Sequence, residues 1–194
     1  MKSRVTGTIT GLIAAILIAG CATDWTSIFQ PGGSTPTTTT GGSSTEISQL
    51  LPKLKSSDEQ TVITAVRRLG NIDNGSTEVL NEFRDLLSAP DRSAAVKVEV
   101  LDAAYAYDRR APLLPGLAVC LKNPDEDVRI DACDMIADIE KPLSVDILID
   151  NLDNPYEDMR ESCQDYLEFI TDKEFTTKAQ WKSWWDRSKA TFKF

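Results

Sequence analysis

Four stripes of apolar positions run through the chain at helical spacing. Val128, Ala132, Ile136 and Ile139 recur in steps of four, four and three, and Met159, Cys163, Leu167 and Ile170 repeat those steps in the next segment. Such steps line one face of a 3.6-residue helix. Val96, Val100, Ala104 and Tyr107 draw the same stripe upstream, and Thr61, Ala65, Leu69 and Ile72 draw a weaker one. Ahead of each stripe lies another apolar-periodic segment, about residues 46–54, 78–87, 112–121 and 143–152, the last with Val145, Leu148, Ile149 and Leu152 on one side. Glycine, proline and polar residues punctuate the joins in "GNIDNGST", "YDRRAP" and "DIEKPL",. The pattern predicts four helix pairs.

The polar positions repeat as well. "LKNPDEDVRIDACDMIADI", from Leu121, is echoed by "LDNPYEDMRESCQDYLEFI", from Leu152, so that Asn123, Pro124, Glu126, Asp127 and Arg129 meet Asn154, Pro155, Glu157, Asp158 and Arg160. A helix pair of this length cannot seal its own apolar faces, so successive pairs must stack into a solenoid. Val128, Ala132 and Ile136, with Met159, Cys163 and Leu167, are the predicted stacking positions. The turn reads as helix grammar: Asn123 as N-cap, Pro124 at N1 and Glu126 at N3, repeated by Asn154, Pro155 and Glu157. Asp125, Asp127 and Asp158 add negative charge at helix starts, where the helix dipole favours it.

With these residues in view, the chain resembles the HEAT-repeat proteins over residues 46–172, most closely over 96–170. Leu121, Val128, Arg129, Ala132, Ile136 and Ile139 match the family's second helix, and Leu152, Met159, Arg160, Cys163, Leu167 and Ile170 match it with softer substitutions. The resemblance implies an all-α fold, a short right-handed α–α superhelix of HEAT-like or armadillo type with about four helix pairs and a capping helix. It also implies an aspartate–arginine ladder between repeats. Asn123 and Asn154 stand where the family often has that aspartate, so Arg129 and Arg160 are expected to find Asp127, Asp158 or neighbouring acids. The second helices would form the concave face, with Asp131, Asp134, Glu161 and Gln164 as candidate partner-binding residues.

Residues 173–194 form a distinct end. Thr177 with Gln180 makes a capping box, and Trp181, Trp184 and Trp185 gather three indoles on one short helix,. A terminal repeat needs its apolar edge covered, and aromatic rings supply much area from few residues. A cap is the favoured reading, a partner or ligand pocket the alternative. Lys178, Lys182, Arg187, Lys189 and Lys193 make this end locally basic.

The first forty-five residues read differently. Lys2 and Arg4 precede the apolar run from Leu12 to Gly20, too short to span a bilayer comfortably, and Cys21 follows it,. "LIAGC", residues 17–21, resembles the bacterial lipobox, which implies a signal peptide over 1–20, lipid attachment at Cys21 and acylation of the new amino terminus. Several acyl chains make a stable anchor where one does not. Ala22 at the next position points to the periplasmic face of the outer membrane if the host is Gram-negative. Residues 21–45, rich in threonine, serine and glycine, read as a flexible tether.

Composition narrows the chemistry. Thirty Asp plus Glu against 21 Lys plus Arg give a net charge of −9, which disfavours nucleic acid as a partner,. There is no histidine, so no Ser-His-Asp relay, Cys-His pair or HExxH zinc site can be built from this chain. Cys120, Cys133 and Cys163 lack metal-ligand spacing and sit in apolar patterns, favouring buried thiols over a disulfide,. No cofactor, metal or small-molecule substrate is expected. These features predict a noncatalytic, lipid-anchored interaction or scaffolding module with an envelope protein as partner. The alternatives are an enzyme-accessory or lyase-like role using carboxylates such as Asp131, Asp134 and Asp138, and a self-associating structural protein.

Overall fold

The computed structural model describes residues 40–194, with side chains from Ser44 onward. The signal, the lipid site at Cys21 and most of the predicted tether lie outside the described residues. Among these residues the fold is all-α. Its helices are α1 (Thr40–Leu50), α2 (Glu59–Ile72), α3 (Thr77–Ser88), α4 (Ala94–Tyr105), α5 (Leu114–Cys120), α6 (Glu126–Asp138), α7 (Pro142–Asp150), α8 (Glu157–Thr171) and α9 (Lys178–Ser188). Short 3-10 turns at Leu51–Lys55 and Ala111–Leu113 complete α1 and introduce α5. No described helix is long and apolar enough to cross a membrane.

The helices pack as a repeating stack. α2, α4, α6 and α8 lie in one row, each against the next, while α3, α5 and α7 form a second row that ends on α9. This is solenoid-like packing of helix pairs. One continuous core runs between the rows, from Leu54 and Val62 through Phe83, Leu101, Leu117, Ile136 and Leu148 to Leu167, Trp181 and Trp185. Each such side chain contributes about 1.5–3 kcal/mol on burial.

Two glycines let the rows close. A Cβ on Gly70 would lie 2.8 Å from the Cβ of Ala103, so α2 and α4 meet at near backbone distance. One on Gly116 would lie 2.8 Å from the backbone oxygen of Arg84 and 3.0 Å from the Cβ of Leu87, where α5 meets α3.

Local structure departs from expectation in three places. α1 begins at Thr40 rather than near residue 46, so the end of the predicted tether is helical. The segment 112–121 divides into a 3-10 turn and a short helix, with Pro112 in the turn and Pro115 in the first turn of α5, where neither needs an amide donor,. The largest departure is at the repeated turn. Asp125, not Asn123, is the N-cap of α6 and accepts from the Val128 amide at 3.2 Å, which places Glu126 at N1 and leaves Pro124 outside the helix. Asn123 Oδ1 accepts instead from the Asp125 amide at 2.9 Å, and Asn154 Oδ1 accepts from the Tyr156 amide at 3.0 Å. The asparagine side chain thus closes a local turn before the helix starts. In the second copy Tyr156 occupies the N-cap and supplies no side-chain cap.

Candidate interaction face

The row of second helices carries the candidate residues, and a ladder of side chains orders it. Arg129 on α6 is 6% exposed. Its Nη1 donates to the carbonyls of Asn123 and Pro124 at 3.0 Å, and its Nη2 donates to Asp158 of the following repeat at 2.8 Å. The Tyr156 ring covers the guanidinium at 3.9 Å from its centroid, a desolvated cation–π contact,. Of the acids expected for Arg129, Asp158 is the one it pairs with. The hydrogen bond from Arg129 holds its carboxyl below the usual carboxylate range. Arg160, one repeat on, reaches only the carbonyls of Asn154 and Pro155, at 2.7 and 3.3 Å. Asn154 is buried and donates to the Leu121 carbonyl of the preceding repeat at 2.9 Å, a second inter-repeat bond.

The stacking positions lie inside. Val128, Ala132, Ile136, Met159, Cys163 and Leu167 are all buried in the common core. Cys120, Cys133 and Cys163 are free, buried thiols. Burial pushes the Cys120 thiol up to about 11, and a hydrogen bond with Cys163, together with burial, pushes the Cys133 thiol far above its ordinary range. Cys120 and Cys133 are not thiolate nucleophiles at neutral pH,.

Acids gather across α4 and α6. Asp131 is half-buried, and burial first, then Asp102, Asp134 and Asp127, raises its carboxyl above the ordinary range. Tyr166 on α8 donates to Asp134 at 2.6 Å, tying the α6 acids to the next helix. Burial, then Asp134, Asp138 and Asp131, raises the Tyr105 phenol on α4, whose ring Arg110 overlies at 5.8 Å. Exposed apolar groups occur on the same row of helices: Tyr105 on α4, Ile130 on α6 and Phe169 on α8, the last 86% exposed. Glu161 is also exposed on α8, eight residues before Phe169 and about 80° round the helix from it,. Ile130 and Phe169 went unnoticed in the sequence because they fall outside the stripes, which is itself the signal that could have found them.

Gln164 has a different setting from the other three face candidates. Its amide donates to the Phe175 carbonyl at 2.7 Å and to Glu168 at 2.6 Å, and its oxygen accepts from Trp181 Nε1 at 3.0 Å. It joins α8 to α9. Around it the capping box of Thr177 and Gln180 starts α9, Trp181 and Trp185 are buried, and Trp184 is half-buried. Phe175 meets Trp181 edge-on at 4.9 Å, and Phe192 meets Trp185 at 5.5 Å. Trp185 Nε1 donates to Asp146 at 2.8 Å, Lys189 pairs with the same carboxylate, and Lys178 bonds Asp153 and the Asp150 carbonyl at 2.8 Å. Part of the basic charge of this end is thereby spent on α7 and the turn after it.

Among the described residues no group of acids and thiols is arranged to hold a metal ion. No protein-family model matches the chain, and no curated protein matches it significantly.

Proposed function

We propose that this chain is a noncatalytic protein-interaction module of the HEAT-repeat kind, held at the cell envelope by lipid on Cys21. Its partner is an envelope protein that presents a basic surface with apolar neighbours. The observation that carries this reading is the acidic cluster of Asp102, Asp131, Asp134 and Asp138 across α4 and α6, with Tyr105 beside these acids and Ile130 and Phe169 exposed on the same row of helices. A face on which burial and three neighbouring acids raise the proton affinity of Asp131 is relieved by a cationic partner, and exposed aromatic and aliphatic groups on the same helices supply contact area,. The lipobox-like "LIAGC" supports the address, and the Arg129–Asp158 pair supports a HEAT-type ladder.

In-cell crosslinking followed by purification from solubilised envelope tests the reading. The native chain should recover a specific partner, and Asp131→Lys with Glu161→Lys should lose it while melting no lower than the native chain. Unchanged recovery by the reversed face would reject that face as the binding surface. Palmitate labelling should be present in the native chain and absent from Cys21→Ser; labelling that persists in the variant would reject the anchor.

A further inference from the structure

A cavity away from the acidic face has the opposite electrostatic character. It lies where the α3–α4 and α5–α6 turns come together, holds about 460 Å³, and is lined by Pro90, Lys97, Ala118, Val119, Lys122, Asn123 and Pro124. No carboxylate lines it, in a chain with 30 acids. Lys97 is 3% exposed, yet its ammonium forms no hydrogen bond or ion pair with any described residue. The enclosed, unbonded side-chain polar atoms are Tyr107 Oη and Arg129 Nε. The Lys97 ammonium is not one of them, so it keeps contact with the cavity. Its electrostatic neighbour inside the protein is the Cys120 thiol, which is itself held neutral by burial.

The repeat shows what is missing around Lys97. Val96 and Lys97 stand in α4 where Val128 and Arg129 stand in α6. Arg129 is roofed by Tyr156 and neutralised by Asp158. The residue matching Tyr156 in the repeat beside Lys97 is Asp125, whose carboxylate is engaged by the Val128 amide as the helix cap. The residue matching Asp158 is Asp127, which is exposed and makes no bond to Lys97. A lysine that is 3% exposed as a residue brings its ammonium to the cavity without a counter-charge, and an apolar side chain of the same length would fill the place without the cost of desolvating that charge. A ligand that neutralises it accounts for the lysine.

The other walls define that ligand. Lys122 supplies a second ammonium at the rim; it also faces Asp153, which Lys178 already holds at 2.8 Å. Asn123 uses its side-chain oxygen in the local turn, leaving its amide NH₂ as a donor toward the cavity. Val119 is 48% exposed and, with Ala118 and the two prolines, offers an apolar wall. A planar carboxylate is best matched by the arginine fork, whereas lysine binds as a point charge suited to phosphate. We propose that this cavity binds an organic phosphate, with the phosphate between Lys97 and Lys122 and an apolar body against Val119 and Pro90. The phosphate comes from either a soluble ester or a phospholipid headgroup.

Titration calorimetry and thermal melting of the full-length Cys21→Ser chain test this. The two probes are butyl phosphate, for the soluble ester, and dihexanoyl phosphatidylglycerol below its micelle concentration, for the headgroup; hexanoate is the control. At least one phosphate probe should bind saturably and raise the melting temperature, and the tighter of the two identifies the source. Lys97→Met should weaken binding tenfold or more and melt above the parent in the absence of ligand, and Lys122→Ala should weaken binding several-fold. Equal binding by Lys97→Met and the parent, or hexanoate binding as tightly as the better phosphate, overturns the proposal. If Lys97→Met loses its helical circular dichroism, Lys122→Ala and Asn123→Ala decide: unchanged affinity in both overturns it.

Discussion

Asp158 and Asp131 stand within one repeat of each other and respond to pH in opposite senses. The Arg129 hydrogen bond lowers the carboxyl of Asp158, so the folded chain binds a proton there less readily than the unfolded one. The stabilisation from this pair is therefore present above the unfolded carboxylate value, about 3.9, and is lost as pH falls through the lower folded value. Asp158→Asn should cost about 1–3 kcal/mol at pH 7, because it strips the counter-charge from a buried guanidinium. In urea unfolding the deficit relative to the native chain should shrink on acidification below that window. Asp131 behaves the other way: burial and Asp102, Asp134 and Asp127 raise its carboxyl, so the folded chain takes up its proton first. Asp131→Asn should raise the melting temperature at pH 7, and the gain should fade as pH falls through the raised folded value. These signs follow from which helix lies opposite each carboxylate. Nothing in the phrase "NPDEDVRID" says that acids of the neighbouring helix crowd Asp131, whereas Asp158 of the next copy was already among the acids that the HEAT resemblance offered Arg129.

At the scale of the element, two designs can be separated by substitution. α9 seals the stack through rings that are nearly fully enclosed. Trp181→Ala should cost about 3–5 kcal/mol, the usual loss for a buried indole, and it strands the Gln164 oxygen that the indole N–H satisfies at 3.0 Å. Trp184→Ala should cost clearly less, since Trp184 is only half-buried; equal losses in chemical denaturation would contradict this division. α5 illustrates the opposite constraint, a place where nothing can be added. Gly116→Ala gains up to about 1 kcal/mol in helix propensity. The new methyl meets the Arg84 carbonyl at 2.8 Å, and overpacking costs about 1–3 kcal/mol, so the net effect should be destabilising. The helix pairs, their order and the Thr177–Gln180 capping box were legible in the chain. The start of α6 was misplaced because asparagine, proline and aspartate all have turn and cap roles, and only backbone geometry showed that Asn123 closes the turn while Asp125 caps the helix.

Across the whole molecule, the row of second helices and the row of first helices share one core, and that core holds thiols on α5, α6 and α8. Cys120, Cys133 and Cys163 are each at most 1% exposed. In the Cys21→Ser chain a thiol reagent should therefore react with all three only through opening of the stack. A common rate that rises with urea would show that the repeats open together. Cys163 reacting ahead of Cys120 would show fraying from the C-terminal end, as nearest-neighbour stacking allows. A rapid reaction in the absence of denaturant would contradict their burial. The same stack sets charge apart. Acids of α4 and α6 crowd one face, while a carboxylate-free cavity with two lysines opens at the turns.

The sequence by itself determined the all-α class, the pairing of helices and the core positions, because a 3.6-residue stripe repeated at constant offset leaves one way to bury its apolar face. It also determined that the terminal indoles belong together on one short helix. Tertiary structure alone decided which charges have partners. Arg129 and Lys97 hold the same place in successive copies, yet one is roofed and paired and the other faces a cavity. Periodicity specifies which face a side chain occupies. Only the packing of the next repeat supplies the neighbour, and at these separations the neighbour decides whether a buried charge is satisfied.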